Sequence, residues 1–371
     1  MMNTVKVTCL ICYVAISVPH LYAQTDDPND VNFSAYNNFD FIAGNKVLFY
    51  DDFSSGLAKW NVIEYDGADD IEKPSVKKIT NDQTAWFKTP RKGLLFPLNI
   101  KTLPESFTLE FDMWADMEKM SEMEGGLMAI FVSNKISREE YSIHFDDKPQ
   151  IQLDIHPSSD FLYCKAAKEY VSGGERLLVD KQINKGWKAG KSNRISISRN
   201  KTHIRLYVDE KKFIDLPNGL PKKEAYTLLM ATNLWGDGIY ITNVRFAEAL
   251  EQPVKFDKEG KFVTNAIYFD VNSAKIKSES WAALNQAATA IKSVQGKITI
   301  IGHTDSDGSK DFNMSLSKKR AESVKQALVK NFSIDPSRFL TDGKGATVPI
   351  DKNNSPEAKA NNRRVEFVLT K

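Results

Sequence analysis

The chain has 371 residues, of which 42% are hydrophobic and 26% charged, a length that suits two or three domains. This balance excludes a largely disordered chain and a multi-span helical membrane protein, and a net charge of +2 provides no global field for nucleic acid. The charge is split: residues 24–260 carry 31 Lys/Arg against 37 Asp/Glu, and residues 261–371 carry 18 against 11. Such a sign change marks two units with different surfaces.

Residues 1–23 read as a secretory signal peptide, with one Lys before an apolar stretch from Val7 to Val18 and then Pro19. Cys12 follows Ile11 rather than a small residue, which argues against a lipoprotein signal. Cleavage near Ala23–Gln24 leaves Cys164 as the single cysteine, so no internal disulfide is expected. Residues 24–39 are polar and read as a leader. From 40 to 248 the period is two: Phe107, Leu109, Phe111 and Met113 alternate with Thr108, Glu110 and Asp112, and Ile195 and Ile197 alternate with Arg194, Ser196 and Ser198. Many short alternating runs predict an all-β sandwich. The rival is a membrane β-barrel, which needs longer strands and aromatic girdles.

Residues 249–262 are charged, contain Pro and Gly, and read as a linker. In 263–371 the period changes. Ile267–Phe269 predicts a strand, and Trp281, Leu284, Ala288, Ile291 and Val294 predict a helix stopped by Gly296. Lys297–Ile301 predicts a second strand, and a second helix is expected to start between Asn313 and Ser317. Arg364–Leu369 predicts a last strand. The expected fold is therefore multidomain: an all-β sandwich followed by a compact α/β unit of order βαβαβ.

The densest polar cluster lies in residues 302–324. Asp305 on the loop and Arg320 in the early turns of the second helix are expected to be neighbours, because helical side chains lean toward the N-terminus. A carboxylate beside a guanidinium suits a zwitterion: Asp accepts from an ammonium, and Arg grips a carboxylate bidentately. The helix start adds N–H groups for an anion. The plainer alternative is a surface ion pair worth at most about 1 kcal/mol. His303 is expected to be structural. The spacing of Asp305, Asp307 and Asp311 fails the calcium-loop pattern, and Gly343–Lys344–Gly345 fails the dinucleotide one. No metal or cofactor is implied.

The same residues carry a family resemblance. Tyr268–Phe269–Asp270 with Asn272–Ser273, Gly302–His303–Thr304–Asp305, Gly308, Asn313, Leu316–Ser317, Arg320–Ala321, Val324, Gly343–Lys344–Gly345, Pro349 and Asn362–Arg363–Arg364–Val365–Glu366 resemble the OmpA-like peptidoglycan-binding domain. The resemblance implies non-covalent capture of the diaminopimelate residue of the peptidoglycan stem peptide. Asp305 and Arg320 would hold its amino and carboxylate groups. Asn313, Thr304 and Leu316 would shape the pocket, with Asp270 and Arg364 beside it. Asn272 stands where many members carry a second acidic residue.

Asp51–Ser54 with Trp60–Asn61, Phe107–Met113, Trp187 through Asp209, and Gly238–Phe246 more diffusely resemble the laminin-G or concanavalin-A-like jelly roll. That superfamily includes glycan-binding modules and glycoside hydrolases. Glu110 and Asp112 therefore raise a hydrolase alternative, against which stands the reading that both lie on the wet face of an outer strand. Trp114, Trp187 and Trp235 are candidates for stacking on sugars, although core packing is the commoner fate of such residues. The expectation is a non-enzymatic, periplasmic envelope protein that holds the wall or links it to the outer membrane, with a glycan or envelope protein as a possible partner of the sandwich.

Overall fold

The computed structural model describes residues 39–65, 73–81, 83–117, 126–133, 135, 138, 151–171, 174–221, 225–233, 238–249 and 254–370. The expected signal peptide, residues 24–38 of the leader, Trp235 and residues 250–253 of the expected linker lie outside them.

Period-two alternation builds the N-terminal part as two antiparallel sheets. In the Ser106–Ala115 strand, Phe107, Leu109, Phe111 and Met113 all point inward and are fully buried. They meet Leu127, Ala129 and Phe131 of the facing sheet, and the rings of Phe107 and Phe131 lie 5.6 Å apart. Apolar faces that meet each other make a sandwich, whereas a membrane barrel turns them outward to lipid. One sheet runs Lys211–Leu216, His203–Val208, Asn193–Asn200, Ser106–Ala115, Ile239–Glu248, Trp86–Lys88 and Ser75–Lys77, with Lys46–Asp51 also paired to Ile239–Glu248. The other runs Gly174–Asn184, Phe161–Val171, Ile151–Pro157, Leu127–Ser133, Tyr226–Asn233, Lys92–Pro97 and Trp60–Glu64. Trp187 is buried in the shared core, and Trp114 packs edge-on against Tyr240. Burial pushes the Cys164 thiol well above its usual range, leaving it protonated and inert.

The C-terminal part is a mixed sheet in the order Lys261–Thr264, Arg364–Thr370, Lys297–His303 and Phe339–Gly345, of which only the last pair is parallel. Helices α1 (Trp281–Lys292) and α2 (Lys310–Phe332) cover one face, burying Leu284, Ile291, Val324 and Leu328 against Ile298, Ile300, Val365 and Phe367. A short α3 (Pro356–Asn362), capped by Ser355, precedes the last strand.

This differs from the sequence reading in four places. The first strand is Lys261–Thr264, inside the expected linker, while Ile267–Phe269 contributes only an isolated bridge from Phe269 to Ile276. The Phe339–Gly345 strand and α3 extend the order to βαβαβαβ. Helix α2 starts earlier because the Ser309 hydroxyl caps it, accepting from the Phe312 N–H at 3.3 Å. Finally, Phe39, Phe41 and Ala43 pack into the C-terminal core cluster together with Tyr207 of the sandwich.

Helix α2 lies against the sheet closely enough to require glycine. A Cβ on Gly302 would stand 2.2 Å from the Ser317 carbonyl oxygen, and one on Gly343 would stand 2.4 Å from the Lys318 backbone nitrogen. Both neighbours are helix backbone and cannot step aside. Gly343→Ala is expected to cost about 1–3 kcal/mol by overpacking, read from the urea midpoint. An unchanged midpoint would mean that the helix can shift freely on the sheet.

The wet face expected for Glu110 is in fact a junction. Glu110 is 1% exposed. Its Oε1 accepts from Arg245 Nη1 at 2.9 Å, and its Oε2 accepts from Arg194 Nη2 at 3.0 Å and from the Tyr268 hydroxyl at 2.7 Å. Arg194 also donates to Asp112 at 3.0 Å. The sandwich thus offers charged residues at alternate positions, and the C-terminal part covers them. Along the same seam α3 closes the free edge of Lys46–Asp51: Asn361 exchanges two hydrogen bonds with the Val47 backbone, and Glu357 accepts from the Tyr50 N–H and Lys59.

Candidate ligand-binding site

The strand Lys297–His303 ends at the Thr304–Ser309 loop, and this loop is held by its neighbours. Thr304 is buried, and its N–H donates to the Gly345 carbonyl at 3.0 Å. Its hydroxyl donates to the Asp305 carbonyl at 2.9 Å. Asn313, 3% exposed in the first turn of α2, donates to the Asp307 carbonyl at 2.7 Å and to the Asp305 carbonyl at 3.4 Å. Leu316 is buried one turn further along. Asn313 and Thr304 therefore shape the loop through its backbone, and the Asp305 side chain accepts from the Asp307 N–H at 3.2 Å.

Asp305 and Arg320 form no ion pair with each other. Asp305 Oδ2 accepts instead from Arg363 Nη1 at 2.6 Å. Arg320 lies ten residues into α2, about 15 Å along the axis from its start, and its direct contacts are with other groups than the Asp305 carboxylate. Its Nε donates to the Ser273 carbonyl at 2.9 Å, and its guanidinium lies 4.9 Å from the centre of the Phe269 ring. The two charges still sense each other. Burial, and then the like charge of Arg363, push Arg320 down to about 10, and Asp305 opposes them. Two guanidiniums and one carboxylate thus converge, leaving a net positive centre.

Asp270 closes the turn that presents Ser273: its N–H donates to the Lys275 carbonyl, and its carbonyl accepts from the Ser273 N–H. Asn272 sits at φ 53° within that turn. Arg364 does not join the group. It is 5% exposed, and its guanidinium is engaged by Glu366 at 2.7 and 2.8 Å and by the carbonyls of Asn362 and Val348. Neighbouring side chains at the start of a strand project to opposite sides, so Arg363 reaches Asp305 where Arg364 cannot. The sequence motif contains both arginines, and alternation alone does not say which one faces the loop.

Glu366 gathers Lys261 at 2.7 Å and His303 at 3.5 Å as well as Arg364. Burial works against its charge, but these donors prevail and hold the carboxyl far below the usual range. A carboxylate depressed in this way contributes stability above its unfolded value of 4.5, and that contribution is lost as the pH falls. Glu366→Gln is expected to cost about 3 kcal/mol at pH 7 and to flatten the decline in urea stability below pH 5. A wild-type acid limb retained by the variant would rule this origin out.

The residues of the cluster fall in a segment that is similar to known proteins. Residues 268–363 match the OmpA family. The C-terminal part is an OmpA-family domain. The chain is 43% identical over 111 residues to outer membrane protein A of Bordetella avium, covering 29% of this chain and 57% of that protein. It is 31% identical over 100 residues to the peptidoglycan-associated lipoprotein of Pseudomonas putida, covering 27% and 60%. The solved peptidoglycan-associated lipoprotein of Burkholderia pseudomallei aligns over 28% of this chain and 88% of that one, at 31% identity and a TM-score of 0.26. The chain thus spans less than two thirds of the length of these two curated relatives.

Proposed function

We propose that this chain is a non-covalent anchor of the cell envelope whose OmpA-family domain grips peptidoglycan through the diaminopimelate residue of the stem peptide. The observation that carries this reading is the convergence of Arg320, Arg363 and Asp305 at the rim of the Thr304–Ser309 loop. Diaminopimelate ends in an ammonium and a carboxylate on one carbon. Asp305 is the acceptor for the ammonium. Arg320, a half-buried cation that pairs with no carboxylate among the described residues, is the partner for the carboxylate. Relatives named as an outer membrane protein and as a peptidoglycan-associated lipoprotein support the setting. Each captured stem peptide contributes modestly, and many copies along the wall add retention by avidity.

In this proposal the chain acts outside the inner membrane, between wall and outer membrane, and residues 40–248 form a concanavalin-A-like jelly roll that meets a glycan or an envelope protein. No covalent step is assigned. Glu110, the first carboxylate of the hydrolase alternative, is bound by two arginines and covered by Tyr268, so it has no open face for a sugar.

The test is co-sedimentation with two purified walls, one carrying diaminopimelate and one carrying lysine at the same stem position. Lysine lacks the terminal carboxylate, so binding to the lysine wall is expected to be at least about tenfold weaker, as for loss of one charge-assisted hydrogen-bonded pair. Equal sedimentation with both walls would rule out the diaminopimelate assignment.

A further inference from the structure

The binding cluster is not confined to the OmpA-family domain. Arg363, which holds Asp305, is itself covered by an aromatic ring from the sandwich: its guanidinium lies 5.5 Å from the centre of the Tyr50 ring. Tyr50 is on the Lys46–Asp51 strand, at one of the positions that point away from the sandwich core. The residue is held through both its side chain and its backbone. The Tyr50 hydroxyl donates to Asn243 Oδ1 at 3.1 Å, and the Tyr50 N–H donates to Glu357 of α3 at 3.2 Å. Asn243 lies at an irregularity in the pairing of Ile239–Glu248, at φ 50°, and its amide donates to Asp112 at 2.7 Å. Asp112 in turn holds Arg194, which reaches Glu110 and through it Tyr268. Tyr268 is adjacent to Phe269, the ring beneath Arg320. Both arginines of the cluster are therefore backed by aromatic rings, and one of those rings belongs to the sandwich.

We infer that Tyr50 is a positioning residue for ligand capture: the sandwich lends its ring to hold the Arg363 guanidinium against Asp305, so that the wall-binding site is complete only when the sandwich is docked. The inference rests on the function proposed above. An arginine that is 38% exposed would otherwise sample many rotamers and pay to be ordered each time a ligand arrives. A ring under its planar face restricts it beforehand. The sandwich then acts as a built-in enhancer of the anchor rather than as a passive neighbour.

The test uses the full chain and diaminopimelate-type sacculi, with Tyr50→Leu, Tyr50→Phe, Arg363→Gln and the Tyr50→Leu/Arg363→Gln double variant. Tyr50→Leu is expected to weaken binding about three- to tenfold, from loss of a partly desolvated cation–π contact. Tyr50→Phe keeps the ring and should stay within about twofold of wild type, since the ring and not the hydroxyl holds Arg363. In the Arg363→Gln background the leucine change should have no further effect, because there is no cation left to position. An equal additional loss in that background would mark a general disturbance of the fold and overturn the inference, as would wild-type affinity in Tyr50→Leu. A wild-type chain that fails to sediment overturns the anchor reading, and the inference with it.

Discussion

Arg320→Ala is expected to release the chain from diaminopimelate-type sacculi, weakening binding by about 10–100-fold, the equivalent of one charge-assisted bidentate contact. The same change should leave stability in urea unchanged or slightly raised. The reason is the state of the free site. Half-buried Arg320 pairs with no carboxylate among the described residues, and partial burial and Arg363 push it down to about 10. A cation whose pKa falls on folding is a cost to the fold at neutral pH. That cost is full below pH 10 and lifts only above it. Removing the group removes the cost, whereas a ligand carboxylate would compensate it. Arg320→Lys should fail almost as badly as alanine, because a point charge cannot reproduce the planar fork while also resting on Phe269. Asp305→Ala should weaken binding by a similar factor, since it removes the ammonium acceptor and frees Arg363. If the alanine variants sediment like wild type, the cluster is not the wall site. A large loss of stability in Arg320→Ala would show instead that the residue serves the fold.

Parts of this arrangement were legible in the chain and parts were not, for identifiable reasons. The alternation of Phe107 through Met113 reveals an inward face because one side of a strand is uniformly apolar. Glu110 on the opposite face reads as wet, and nothing local announces that a second domain will cover it: Tyr268 is 158 positions away. The Phe339–Gly345 strand is not legible in the sequence because FLTDGKG does not alternate and is held by pairing to Lys297–His303 rather than by its own pattern. Helix α2 starts at Lys310, a few residues before the Asn313–Ser317 expected, because Ser309 caps it. That shift matters for function. Arg320 stands deeper in the helix than the expected start implies and rests on Ser273 and Phe269, and Arg363 is the residue that pairs with Asp305. The types of residue needed to hold a zwitterion were visible in the sequence, but which arginine faces which acid is a matter of register.

The Glu110 hub supplies the largest expected effect on stability. Glu110→Ala should lower the urea-unfolding free energy by about 3–5 kcal/mol, the range for breaking a buried ion pair by removing one partner. Two arginines would lose a shared counter-charge: Arg245, almost fully buried, would keep the Gly44 carbonyl and the Tyr268 ring, and Arg194 would keep Asp112. Although burial disfavours its charge, Arg194 is held strongly protonated by Asp112 and Glu110, so loss of Glu110 removes one of the two carboxylates that compensate it. Glu110→Gln should cost less, because the amide oxygen can still accept one of the three donors. Tyr268→Phe removes only the bond from the OmpA-family domain, for about 1.5 kcal/mol, and in the Glu110→Ala background it should have almost no additional effect, since its acceptor has already gone. That non-additivity would show the two domains sharing one carboxylate. A loss below about 1 kcal/mol in Glu110→Ala would mean that water fills the gap and that the junction is wet after all. The carboxylate would then be open enough for the glycan chemistry that its burial here argues against.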